Sequence, residues 1–234
     1  MEPEINKNQT SNYSTPIAII LAGVIIAGVI YFTESKKVIV PEKILNQTNS
    51  TLIEKVKIDG EPFVGNPNAT VVIAEWFDYQ CPACQYADQN MITPLVADFV
   101  KAGKLKIVFK DFAFLGHDSQ TLALTARAIW EAYPEKFYEW HKTMFENQGK
   151  ENTGWATKDV ITSITKKVSG IDMTVIDGLL AKNSVKYQSA VDADKAEGVN
   201  FGVNATPSFI IGNELNSGVP QYSDVKAIID NLLK

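Results

Sequence analysis

Only two cysteines stand in this chain of 234 residues, and Pro82 and Ala83 are all that separates them. Cys81 and Cys84 lie within "EWFDYQCPACQYAD", residues 75–88. Thiols so spaced can hold a metal, cycle between dithiol and disulfide, or be an accident of composition. A structural zinc site normally takes four Cys or His ligands. His117 and His141 are far along the chain and form no second ligand pair, so only a metal shared between subunits would fit, and no metal is expected. A static disulfide across two residues would close a trivial loop and constrain the unfolded chain little. Redox exchange has mechanical support from the elements around the pair.

"TVVIAEWF", residues 70–77, follows the turn signal "GNPNA" and reads as a buried strand of β-branched and aromatic residues. The chain turns at residues 78–80, and a helix begins at the cysteine pair. Pro94 should kink or split that helix, and Gly103 should stop it. "KLKIVFKDFAF" is a second strand, so strand, helix and strand form a parallel βαβ unit. At such a helix start, free N–H groups and the positive dipole end stabilise a thiolate. A cysteine pKa of ~8.5 then falls to roughly 3.5–7.5. Pro82 suits the first turn, where its missing N–H is not needed. Cys81 is then the exposed attacking and attacked sulfur, and Cys84, one turn on, the resolving partner.

Residues 118 to about 200 form a largely helical block. Apolar residues recur at helical spacing in four stripes: Leu122 to Tyr133, Phe137 to Phe145, Val160 to Val168, and Ile176 to Leu180. Such stripes are core, not cofactor contacts. After Gly202 the pattern returns to sheet, with "PSFII", a Gly212-Asn213 turn and a short return strand. Ser223 is placed to cap a closing helix with Val225, Ile228, Ile229 and Leu232 on its apolar face. The order βαβ, helices, ββα is a small α/β core with a helical insertion.

"VVIAEWFDYQCPACQYAD" resembles the DsbA-like branch of the thioredoxin superfamily, in which an acidic residue and aromatics precede C-P-x-C. "GVNATPSFII" resembles the loop that sets a cis-proline opposite the cysteines, and the likeness covers roughly residues 56–233. The resemblance implies a thioredoxin-like fold with a helical insertion. It implies that Pro207 is cis and that Thr206 presents its backbone to substrate, beside Pro82 and Ala83. It sets Glu75, six residues before Cys81, as a buried acid that accepts or relays a proton for Cys84. Lys110 would pair with Glu75 if their strands are neighbours, and His117 would cap or pack. No histidine stands between the sulfurs, unlike the best-known member, which bears on oxidising strength and not on the chemistry. The expected activity is thiol–disulfide oxidoreduction, as a dithiol oxidase that introduces disulfides into exported proteins. A reductase or isomerase is the alternative within redox chemistry; a membrane-tethered metal-binding or adhesion module is the alternative outside it. No bound cofactor is expected, because the dithiol itself carries two electrons. Partners implied are reduced or misoxidised proteins and a membrane oxidase of the quinone-linked type.

The remainder of the chain bears on where this happens. The net charge of −5 and the lack of a basic tract argue against nucleic acid. Residues 1–15 are a polar tail, 16–33 a transmembrane anchor or signal, 34–55 a linker and 56–234 the folded domain. From residue 17 to 32 nothing is charged. As a helix this run spans roughly 24–27 Å, near the ~30 Å of a hydrocarbon core. The acidic start, with Glu2, Glu4 and only Lys7, suits an uncleaved anchor better than a secretory signal. Lys36, Lys37 and Lys43 beyond the run would, by charge count, keep the domain inside. The thiol chemistry points the other way, to an extracytoplasmic domain.

Overall fold

The computed structural model describes residues 51–234. The expected tail, membrane segment and most of the linker lie outside the described residues. Among the described residues no helix is long and apolar enough to cross a membrane. Leu52–Lys55, taken above as the linker's end, form a 3-10 turn whose Ile53 N–H donates to Gly212 O at 2.9 Å.

Five strands make one sheet: β1 (Phe63–Gly65), β2 (Val71–Phe77), β3 (Leu105–Asp111), β4 (Ser208–Ile211) and β5 (Glu214–Ser217). Their spatial order is β1-β3-β2-β4-β5, with only β2 and β3 parallel. The expected βαβ unit is therefore present, with β2 central. β1 escaped the sequence reading, because three half-buried residues carry no alternation to detect. Its Gly65 has φ +114°, and a Cβ there would sit 2.4 Å from Leu105 O. Only glycine lets β1 end that close to β3.

Between β2 and β3 runs the helix that begins at the cysteines. It starts as α1 (Pro82–Ala87) and continues through a π-helical segment (Asp88–Ile92), a helical turn (Thr93–Leu95) and a second π segment (Val96–Val100). Pro94 does not split it. Thr93 N–H reaches back to Asp88 O, and this widened turn accommodates the proline ring while the flanking residues stay right-handed helical. The insertion is α2 (His117–Ala132), α3 (Phe137–Glu146), α4 (Lys158–Thr165) and the long α5 (Met173–Phe201). α6 (Tyr222–Leu232) closes the chain. Its N-cap is Gln221, so Ser223 lies inside the first turn and caps nothing; Leu232 is exposed, and the buried face is Val225 and Ile229.

The sheet's alternation sorts its side chains into two cores. Ile73, Phe77, Ile107, Phe109, Phe209 and Ile211 join the larger, with Met91, Ile92 and Leu95 after α1 and Trp140 and Met144 of α3. Ala74, Trp76 and Ile210 face the smaller, with Val56, Phe112 and Val203. α5 comes close on this second side, where Trp76 Nε1 donates to Asp194 O at 2.9 Å. Gly198 permits the approach, since a Cβ there would lie 2.7 Å from Trp76 Nε1. Below the same face, Lys110 and Arg127 are buried among Glu61, Asp111 and Asp194. The network fastens β3, α2, α5 and the chain before β1 to one another.

Candidate active site

The loop from β2 to α1 is fixed before the first cysteine. Asp78 accepts from Gln80 N at 2.8 Å, Ser119 Oγ at 2.6 Å, Phe114 N at 2.9 Å and Leu115 N at 3.1 Å. Gln80 donates its side-chain N–H to Leu115 O and Ser119 Oγ and accepts from Asn152 N. Gln148, just past α3, donates to Tyr79 O at 2.8 Å and Cys81 O at 3.1 Å. The insertion thus holds the cysteine loop rigid. Asp78, Gln80 and Gln148 carried no signal in the sequence beyond a turn-forming aspartate, because apart from the local Asp78–Gln80 bond their partners are 35 to 72 residues away.

Cys81 occupies the N-cap of α1, with φ −74° and ψ 117°, and Pro82 is the first helical residue. Pro82 and Ala83 are exposed, Cys81 is 8% exposed and Cys84 is fully buried. The cysteines are unbridged. Thr206-Pro207 is a cis peptide bond, and the Cys81 thiol donates to Thr206 O at 3.4 Å. The expected cysteine, threonine and proline positions therefore come together. The Thr206 hydroxyl is buried with no hydrogen-bond partner among the described residues.

The thiol of Cys81 is lowered to about 6. Its main cause is the hydrogen bond from the Cys84 thiol; burial opposes it, and Thr206 and the N–H groups of Cys84 and Ala83 add to the lowering. The helix start expected to stabilise the thiolate does so through those two N–H groups, and the neighbouring thiol contributes more. Cys84 moves upward, first because it is buried and then because it donates to Cys81 and faces that residue's charge. Cys81, expected to be exposed, is nearly buried at 8%, so at neutral pH the pair holds one thiolate at the edge of the core and one fully buried thiol, which is the asymmetry that directed disulfide exchange needs.

Glu75 is 1% exposed on β2, with Oε2 lacking any partner among the described residues. Burial pushes its carboxyl well up, and the charges of Asp88 and Cys81 push it further. Lys110 does not pair with it. Glu75 is in register with Phe109, and Lys110 with Trp76, so the two side chains leave opposite faces of the sheet. Lys110 instead meets Glu61 at 3.2 Å, Asp194 at 2.5 Å and Glu197 at 2.9 Å. His117 is exposed at the start of α2, its ring 3.4 Å from Thr121 Oγ1. His141 is buried against Phe77, Phe109 and Phe145, bonds Tyr79 Oη through Nδ1 at 2.9 Å, and is lowered by burial to about 3. Among the described residues no group of three or more His, Cys, Asp or Glu is arranged to hold a metal ion.

A family model described as Thioredoxin matches residues 57–231. Disulfide bond formation protein D of Bacillus subtilis is 26% identical over 188 residues, covering 80% of this chain and 84% of that protein. The crystal structure of oxidised BdbD from Bacillus subtilis superposes with a TM-score of 0.69 at 25% identity, over 76% of this chain and 95% of that one. The thiol-disulfide exchange protein alpha-DsbA2 of Wolbachia pipientis gives 0.66 at 26% identity, over 74% and 87%.

Proposed function

The chain belongs to the thioredoxin family, and with that as premise we propose that Cys81 and Cys84 are its redox couple. The protein is a thiol–disulfide oxidoreductase of the DsbA-like kind, a dithiol oxidase. The observation that carries the residue assignment is the lowered, partly accessible Cys81 thiol held between buried Cys84 and the Thr206-Pro207 loop.

In the oxidised protein a substrate thiolate attacks Cys81 Sγ. The Cys81–Cys84 bond breaks, Cys84 leaves as a thiolate and takes up a proton, and a mixed disulfide forms. The substrate's second thiolate then attacks its own sulfur of that bond. Cys81 departs as a thiolate, and two electrons have passed from the substrate to the protein. The second step has a stabilised leaving group, because low-pKa thiols leave faster, whereas in the first the buried Cys84 departs with the help of a proton. Glu75, the buried acid nearest this chemistry, relays the proton of Cys84. The Thr206 backbone and the exposed Pro82 and Ala83 border the place where a substrate chain lies. Residues 16–33 anchor the domain on the outer side of a membrane, and a quinone-linked membrane oxidase restores the disulfide. Oxidising surroundings support that placement.

A Cys84→Ser variant tests the assignment. Mixed with a reduced two-cysteine protein and an oxidant, it should accumulate a covalent adduct through Cys81, found by peptide mass mapping. Absence of an adduct, or an adduct that survives Cys81→Ser, removes the proposal.

A further inference from the structure

The cysteine loop has a wall that the thiol chemistry leaves unused. Between the start of α2 and the chain joining α3 to α4 lies a cavity of about 190 Å³, lined by Gln80, His117, Asp118, Asn152 and Gly154. Gln80 is the residue before Cys81, so the cavity begins one residue from the reactive sulfur. It lies on the insertion side of the loop, where the Gln80 side chain meets Leu115 O, Ser119 Oγ and Asn152 N. Thr206 O reaches the Cys81 thiol from the loop before β4.

The lining is polar and offers acceptors without a cation. Asp118 is only 5% exposed. Its Oδ2 accepts from Trp155 N at 2.9 Å, while its Oδ1 is neither hydrogen-bonded among the described residues nor sealed from solvent. A carboxylate so placed has given up most of its water and gained no opposite charge. Glu151, whose Oε1 accepts from Asn152 Nδ2 at 2.9 Å, adds a second acid at the rim. Asn152 Oδ1 stands over Gly116, where a Cβ would come within 3.3 Å of it. His117 is exposed at the mouth, its ring turned to Thr121. The walls are fixed in advance, because Asn152, held at φ +58°, donates its N–H to Gln80 Oε1 at 2.8 Å.

We infer that this cavity is a specificity subsite for a lysine or arginine side chain of the substrate protein, carried within a few residues of the cysteine that attacks Cys81. This rests on the redox role of the cysteines proposed above. The cationic head meets Asp118 Oδ1 and the side-chain carbonyl of Asn152, and Glu151 attracts it at the rim. An ammonium or guanidinium brings donors only, which is what unfilled acceptors require. An acidic side chain is repelled there, and an apolar one would strip the carboxylate of its remaining water. The cavity takes no part in electron transfer. It selects the incoming chain and holds its thiolate against Cys81.

The test uses reduced two-cysteine peptides alike but for one residue, Arg, Lys, Gln or Glu, set in turn at each of the three positions on either side of the first cysteine. Each is mixed with the oxidised full chain, and the mixed disulfide is followed by rapid acid quench. High salt keeps the net charge of −5 from mimicking the subsite. Each rate is divided by that peptide's rate against 2-hydroxyethyl disulfide, an uncharged reference that removes its own thiol reactivity. At one position at least, Arg and Lys should react about tenfold faster than Gln, with Glu slower still. Asp118→Asn keeps an acceptor for Trp155 N and should bring the ratio of Arg to Gln close to one. Gly154→Asn, whose side chain tolerates the φ of +71°, should narrow the cavity and lower the same ratio with the carboxylate intact; it decides the matter if Asp118→Asn does not fold. Equal rates for Arg, Gln and Glu at every position overturn the inference, as does an Arg preference that survives Asp118→Asn. Failure of the wild type to form a mixed disulfide with any peptide would instead remove the underlying redox assignment.

Discussion

Taking the protein from pH 7 to pH 5 will weaken its dithiol form relative to its disulfide form by about 1.4 kcal/mol. The Cys81 thiol titrates near 6 in the fold, against an ordinary value of 9.0. A depressed folded value stabilises the fold most at pH above the unfolded value, and that stabilisation is lost as pH falls through the folded one. The linkage term RT ln(1 + 10^(pH − pKa)) falls from about RT ln 11 at pH 7 to about RT ln 1.1 at pH 5, a loss of RT ln 10, ~1.4 kcal/mol. Over the same window the unfolded cysteine stays protonated and contributes nothing. The disulfide form has no such group. Urea unfolding of both forms at each pH therefore isolates the couple, because most other titrating groups are common to both and largely cancel. Thiolate absorbance near 240 nm reports the midpoint independently. A stability difference that is flat from pH 5 to 7, with an absorbance midpoint above 8, would refute the reasoning.

Other consequences follow from neighbouring residues. Glu75→Gln should gain stability over the wild type as pH rises from 5 to 8, by up to about 1.4 kcal/mol per unit, because a buried carboxyl raised in the fold costs stability above its unfolded value; parallel urea curves would test this. Lys110→Met leaves Glu61, Asp194 and Glu197 without their ammonium and should cost about 3–5 kcal/mol by denaturant unfolding. Its Cys81 alkylation rate should not change, since Lys110 is on the face away from Glu75.

The cysteine loop, the central βαβ unit and the β4–β5 hairpin were legible because each is written in contiguous patterns, whereas the cis-proline came only from the family resemblance. What escaped depends on distant pieces of chain. Lys110 was offered to Glu75, but the register is displaced by one residue, and one residue in a strand is a change of face. Pro94 was expected to kink or split its helix; the run is not split, and the π turn before it, which local propensity does not encode, absorbs the ring. Gln148 steadies Cys81 from 67 residues away, and no spacing announces that contact. Asp88 was not singled out in the sequence. Only burial, with both oxygens left unpartnered, sets it apart.

The central claim is that the fold favours the reduced, thiolate-bearing state of Cys81 and Cys84, making the disulfide an oxidant. Equilibration of the pair against reduced and oxidised glutathione at pH 7 measures this directly. The account predicts a potential less negative than about −200 mV. A value near the roughly −270 mV of thioredoxin, or below it, would contradict it.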